Sequence, residues 1–389
     1  MNARSLVVGL GILVGCSLLQ AQGDSRPKTA DHTLNQLWSR GRAVGKGPVK
    51  LKHVPLREED IGSIAPLGMM LHAHVTPSDH LSIQPKDRRA AKGHYPIVAP
   101  AAGFIVDLHR PPSGNPDPGV RQYAGDYRIV IEHSSTCYSW FGLMDLLDQS
   151  VLDAIGGEPR AGQPVGVRVS VNAGQTIAWS GGSHGVDYTL IDTEKTLKGF
   201  VDLSQFGQRD PWKPHVVDPF DYIDEPLWSR LLKLNPRKAE PRGGKIDYDI
   251  DGRIVGNWYE HGTGGYAGKE RRLDCWVGHL AFAYHHIDPT KIVVSLGDFD
   301  GKPRQFCVKG NSPDPAGVSA KDGLVKYELV YVPFNSNGDP IELAPQLRGV
   351  QGVLLVQLIE DRKLKIEAFP GKPAADVNAF TTGAKIYER

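Results

Sequence analysis

A mainly β protein with two folded domains is predicted: a small β-barrel or sheet domain, then a second β-sandwich or β-barrel. Three observations predict it. The chain has 389 residues, more than one compact core normally serves. Its 44 Gly and 29 Pro favour many turns over long helices. Short runs of apolar and β-branched residues recur along it, separated by turn signals such as Asp251-Gly252 and Asp300-Gly301.

The first element is an export signal, expected over residues 1–22. Arg4 supplies the positive start, and residues 6–19 form an apolar run broken only by small residues. That run is short for a bilayer span and has no basic stop-transfer flank; a buried N-terminal helix is the alternative. Leu13-Val14-Gly15-Cys16 resembles a bacterial lipobox, which implies acylation at Cys16 and a lipid anchor. Cleavage near Ala21 without a lipid is the competing route. Either way the expected location is the periplasm or cell envelope, with membrane contact only through that lipid. The formal net charge is +1 with no large block of one sign, which argues against nucleic acid as the main partner.

Residues 23–70 read as a tether followed by first strands. The first domain is expected over 71–225. Residues 97–106 read as strand, turn, strand, and 126–133 as a strand in which Tyr127, Ile129 and Ile131 alternate with Arg128, Val130 and Glu132. Further strands are expected at 137–143, 169–179 and 187–192, with a helix at 146–155. A Lys/Arg/Pro-bearing connector at 226–242 is the expected domain boundary. The second domain, 243–389, shows strand patterns at 254–258, 279–284, 292–296, 305–308, 324–332, 352–358 and 363–369. Apart from Cys16 there are three cysteines, Cys137, Cys275 and Cys307, so one thiol is left over; Cys275 and Cys307 could bridge in an oxidising compartment.

Three stretches of the first domain resemble the lysostaphin/LytM-type zinc endopeptidases, the duplicated hybrid motif family. They are Pro96-Ile97-Val98-Ala99-Pro100-Ala101-Ala102-Gly103-Phe104-Ile105-Val106; Tyr127-Arg128-Ile129-Val130-Ile131-Glu132-His133 with Tyr138-Ser139-Trp140-Phe141-Gly142-Leu143; and Val171-Asn172-Ala173-Gly174-Gln175-Thr176-Ile177-Ala178-Trp179-Ser180-Gly181. Val186-Asp187-Tyr188-Thr189-Leu190 and Val217-Asp218-Pro219-Phe220-Asp221-Tyr222 follow in the family's order. The resemblance implies a small β fold with a groove and, in active members, a zinc ion held by the His and Asp of an HxxxD segment and the second His of an HxH segment. Two further histidines handle the protons of the attacking water.

In this chain those positions are degenerate. Gly142 stands where one proton-handling His belongs, and Gly185 and Asp187 stand at the HxH positions. Glycine can neither donate nor accept a side-chain proton. The HxxxD region is His-rich, 71–80, but keeps no intact pair: His80 is followed four residues on by Gln84, and His74 by Ser78, with Asp79 one off. His74, Asp79, His80 and Asp187 are therefore the candidate metal ligands, and His184 is the candidate stand-in base. No cofactor is expected, though zinc could be held by these residues. Each His also reads as an ordinary hydrogen-bonded strand or turn residue, and Trp140 and Trp179 as core aromatics.

In the second domain, Gly256-Asn257-Trp258 is similar to the Gly-x-Trp that opens lipocalin-type barrels; packing favours the simpler reading, a buried Trp on a strand. His279, His285, His286 and Asp288 could cluster around a ligand, or Asp288-Pro289 could start a plain turn. Three functions stay open. One is a non-catalytic envelope protein whose first domain binds wall peptides or a protein partner. Another is a divergent zinc-dependent peptidoglycan endopeptidase. The last is a ligand-binding protein acting through the second β-domain.

Overall fold

The computed structural model describes residues 30–110, 126–207, 209–268, 275–335 and 339–389. The expected export signal and Cys16 lie outside them. Among the described residues no helix is long and apolar enough to cross a membrane.

The fold is mainly β. The first domain contains β1 (Ile61–Ala65), β2 (Leu81–Pro85), β3 (Tyr95–Val98), β4 (Gly103–His109), β5 (Tyr127–Glu132), β6 (Cys137–Met144), β7 (Leu146–Leu147), β8 (Pro164–Val171), β9 (Thr176–Ser180), β10 (Val186–Asp192) and β11 (Val216–Val217). Its main sheet has the order β1-β2-β10-β6-β5-β4-β8, with β11 paired to β10, and a smaller sheet has the order β3-β9-β7. The predicted strand at 169–179 is thus two strands in different sheets, separated by a turn in which Gly174 takes a φ of 79°. A Cβ there would lie 2.9 Å from the His53 ring, so the turn needs glycine on both counts. The helix expected at 146–155 is shorter, α2 (Gln149–Ile155), capped by the Asp148 carboxylate on the Ser150 amide.

Strand β5 departs from simple alternation: Val130 and Glu132 are buried as fully as Ile129 and Ile131. The second face of the sheet is covered by what reads in the sequence as tether. From Ala30 the chain is folded, through α1 (Ala30–Leu34) and a π-turn, Asn35–Ser39. Leu34 and Trp38 pack there on Val106, Val130, Tyr138 and Ile191. Glu132 is neutralised by Arg168 at 3.1 Å and by the Val44 amide at 3.1 Å, as burial of a carboxylate requires.

The connector is packed as well. In α3 (Leu227–Leu234), Leu231 and Leu232 are buried. Arg237, 2% exposed, donates to the carbonyls of Ala239, Glu240 and Pro241 and, across the boundary, to His286 at 2.7 Å.

The second domain is a closed barrel of eight strands: β12 (Gly256–Glu260), β13 (His279–Tyr284), β14 (Ile292–Phe299), β15 (Lys302–Val308), β16 (Val325–Tyr331), β17 (Val350–Glu360), β18 (Lys363–Pro370) and β19 (Lys385–Glu388). All neighbours are antiparallel, and β19 closes the ring onto β12. The Asp300-Gly301 signal is the β14–β15 hairpin, with both residues at positive φ, 57° and 75°, as a tight two-residue turn demands. Inward residues, among them Trp258, Phe282, Phe306, Tyr327 and Leu354, form one packed core. The Trp258 indole donates to Ile254 O at 2.7 Å and lies under the Arg389 guanidinium, 4.0 Å from the ring centroid. Cys307 sits buried between Val293 and Val330 of neighbouring strands and is a free thiol, so the bridge to Cys275 is not formed.

Candidate functional site

The register of β10 sets the site. Asp187 pairs with Ser82 of β2 on one side and with Gly142 of β6 on the other. His80 immediately precedes β2, which brings its Nε2 to 3.6 Å from Asp187 Oδ2, while its Nδ1 lies 3.3 Å from Asp79 Oδ1. His74, held by a tight turn with Leu71, sets its ring edge-on to His80, centroids 5.0 Å apart. The four candidate ligands His74, Asp79, His80 and Asp187 therefore lie together.

Their charges are set by burial and by one another. Burial alone would lower His80, but the Asp187 charge and the Asp79 hydrogen bond outweigh it and raise its pKa. Burial would raise Asp79; the Lys213 ammonium and the His80 hydrogen bond reverse this and hold it well below the carboxylate range. Asp187 is pushed up by burial, against the pull of His80. His80, Asp187 and Asp79 act on one another through their charges. We place the proton on His80, because Asp79 adds a second carboxylate on its other nitrogen. His74 as a residue is exposed, yet its ring is desolvated where it packs on His80, and with the His80 charge this lowers its pKa.

Lys213, 1% exposed, is the residue that sequence reasoning misses. A short 3-10 turn, Lys213–His215, delivers it from far along the chain, and no motif marks it. Its Nζ donates to Pro77 O at 3.3 Å and to the Tyr266 hydroxyl at 3.4 Å, and lies 4.5 Å from the Tyr266 ring centroid. Tyr266 belongs to the second domain, so a barrel-side loop supports the cation that fixes Asp79.

The two glycine positions are filled from elsewhere. A Cβ on Gly142 would lie 2.7 Å from the Trp140 ring. A Cβ on Gly185 would lie 2.6 Å from the Gln84 amide, which donates to Ser82 Oγ at 2.6 Å. His184 is nearly buried and faces Asp145, Nε2 to Oδ1 3.5 Å. Burial would lower His184, but that hydrogen bond raises it, and the charge of Asp126 raises it further. Asp126, itself bonded to Arg128 and to the Leu143 amide, also acts on Asp187. Neither Asp145 nor Asp126 carries a sequence signal, because each becomes informative only once β6 and β10 are paired.

Among the described residues no three His, Cys, Asp or Glu side chains converge as a metal-holding group. His80 and Asp187 supply two donors, and Gln84 offers an amide where the HxxxD pattern has a carboxylate. A cleft of about 490 Å³ between the end of α2 and β8 contains none of these residues.

The chain is similar in structure to part of a zinc-containing peptidase from Vibrio cholerae, with 15% identity, a TM-score of 0.22, and coverage of 38% of this chain and 40% of that one. The chain thus matches two fifths of that peptidase's length, and a likeness this slight transfers no activity. No family model and no curated protein matches the chain.

The second-domain histidines do not form one cluster. His279 stacks on Tyr266, centroids 5.1 Å apart. His285 Nδ1 accepts the Ile287 and Asp288 amides at 3.4 and 3.3 Å. Asp288 caps its own turn through the Thr290 amide and hydroxyl, as Asp before Pro commonly does.

Proposed function

We propose that the protein is an exported cell-envelope protein whose first domain is a degenerate LytM-type peptidase scaffold, used for binding a wall peptide or a protein partner rather than for hydrolysis. One observation carries the reading. The two proton-handling positions are glycines whose side-chain space is occupied by the Trp140 ring and the Gln84 amide. Water activation needs a base within hydrogen-bond reach of the water, and these positions offer an indole and an amide. The test is purified protein against cross-linked peptidoglycan with added zinc, read both as soluble fragments released and as protein retained on the pelleted wall. Retention without fragments is expected. Fragment release abolished by a chelator and by Asp187→Ala would overturn it.

A divergent zinc hydrolase is the second reading, and one distance favours it. His80 Nε2 and Asp187 Oδ2, 3.6 Å apart, are too far for a good hydrogen bond and near the ligand–ligand edge of a tetrahedral zinc site, about 3.4 Å from ~2.1 Å bonds. His184, oriented by Asp145, would be its base. Stoichiometric metal in protein purified without added zinc would favour this reading.

A further inference from the structure

A cleft of about 270 Å³ lies on the outer wall of the barrel where the first domain's 69–72 turn meets it. Its apolar surface comes from Met70, Tyr331 and Phe334, and two exposed apolar side chains, Leu71 and Ile341, flank its mouth. The polar groups that line it include Arg304, His72 and His285, and no carboxylate is among its lining residues.

Three details show a site built for an acceptor. The Arg304 guanidinium makes no hydrogen bond or ion pair to any described residue. His285 is 6% exposed, and because its Nδ1 accepts two backbone amides its proton sits on Nε2. His72 is held at a φ of 51° by the Gln305 side chain, which bonds both its amide at 2.9 Å and its carbonyl at 3.0 Å. A non-glycine residue clamped in the left-handed region by a partner from the other domain is the kind of strain that marks functional positions. An imidazole N–H and a guanidinium lining one cleft, with no carboxylate among its lining residues, suit an anionic acceptor.

We propose that this cleft binds a small organic anion, a monocarboxylate with an apolar body of about one ring, its carboxylate on Arg304 and His285 and its body on Met70, Tyr331 and Phe334. A metal ion is disfavoured by the guanidinium and by the lack of carboxylate or thiolate donors. A cationic ligand finds no counter-charge there. The volume is at the small end for ligand sites, which sets the one-ring limit.

The test is calorimetric and saturation-transfer NMR titration of the purified protein with 3-phenylpropionate and with its uncharged amide. The acid is expected to bind at one site, with its ring protons saturated. Loss of one charge-assisted contact should make the amide, and the acid on Arg304→Gln, each about tenfold weaker. Ile341→Glu sets a carboxylate at the exposed mouth and should weaken the acid without disturbing the fold; it carries the test alone if Arg304→Gln does not fold. Absence of saturable binding, equal affinity of acid and amide, or acid affinity unchanged in the folded variants would overturn the proposal.

Discussion

Asp187→Asn is the most informative perturbation of the candidate site, because it removes one charge and almost no volume. The wild-type pair lies 3.6 Å apart with side-chain exposures of 7% and 14%. At an effective dielectric of 20 the attraction is about 5 kcal/mol before desolvation is subtracted. Breaking a pair this buried costs roughly 3 kcal/mol or more if the remaining charge stays. Here Asp79 still faces the other nitrogen of His80, and the imidazole can shed its proton, so we expect about 2 to 3 kcal/mol at pH 5.5 and under about 1 kcal/mol at pH 8.5. The sign follows from linkage. The pKa of His80 is raised in the folded state, so its contribution is complete below the unfolded value near 6.5 and fades as pH climbs through the folded value. Asp187 is also raised; its ionisation resists folding above the unfolded carboxylate value, and the variant relieves a cost that is no smaller at pH 8.5 than at pH 5.5, which acts in the same direction. At about 2–4 °C per kcal/mol, the melting temperature should fall by ~4–12 °C at pH 5.5 and by much less at pH 8.5. Thermal melts of both proteins in chelator, at matched salt, measure it. A difference that is constant with pH, or larger at pH 8.5, would refute the charge-pair account.

Two further outcomes follow from burial. Burial pushes the Cys137 thiol up to about 12 and the Cys307 thiol up to about 11, so neither should be alkylated by iodoacetamide in native protein at pH 8, while both react in denaturant; peptide mass spectrometry reads this, and rapid native labelling would contradict it. Trp258→Ala should cost about 3–5 kcal/mol in denaturant melts, since the fully buried indole also carries Arg389; a loss below about 1 kcal/mol would mean that the barrel end closes without it.

How far the sequence was legible depended on whether a signal was local. Strand β13 is present with its predicted ends, 279–284, and the Asp300-Gly301 hairpin follows from turn chemistry alone. Strand β19 was not anticipated, because Lys385, Ile386, Tyr387 and Glu388 form too short a run to show a period. The burial of Val130 and Glu132 was not readable from β5, since the cover is Leu34 and Trp38 of a segment whose composition resembles a tether. At the site, motif order placed Gly142 and Asp187 near each other, and the strands pair them directly. Trp140, Gln84, Asp145 and Lys213 could not be assigned beforehand: each acts through a space that exists only after strands or domains meet.

That last group bears on how the site should be studied. The Asp79 carboxylate stays ionised because Lys213 is buried beside it. Lys213 in turn leans on the Tyr266 hydroxyl and ring, and Tyr266 packs on Phe206 of the first domain and stacks on His279 of the barrel. Other contacts tie the same boundary: Arg237 to His286 O, and the Asp247 and Asp249 carboxylates to the Gly199 and Val201 amides. Cutting the chain at the connector would expose Lys213 to water, relax its hold on Asp79, and free Tyr266 to leave. A buried ammonium retains its influence only while low-dielectric walls surround it, and one of those walls is the barrel. The protonation of His80 is thus a property of both domains together, and measurements on residues 30–242 alone would report a different site.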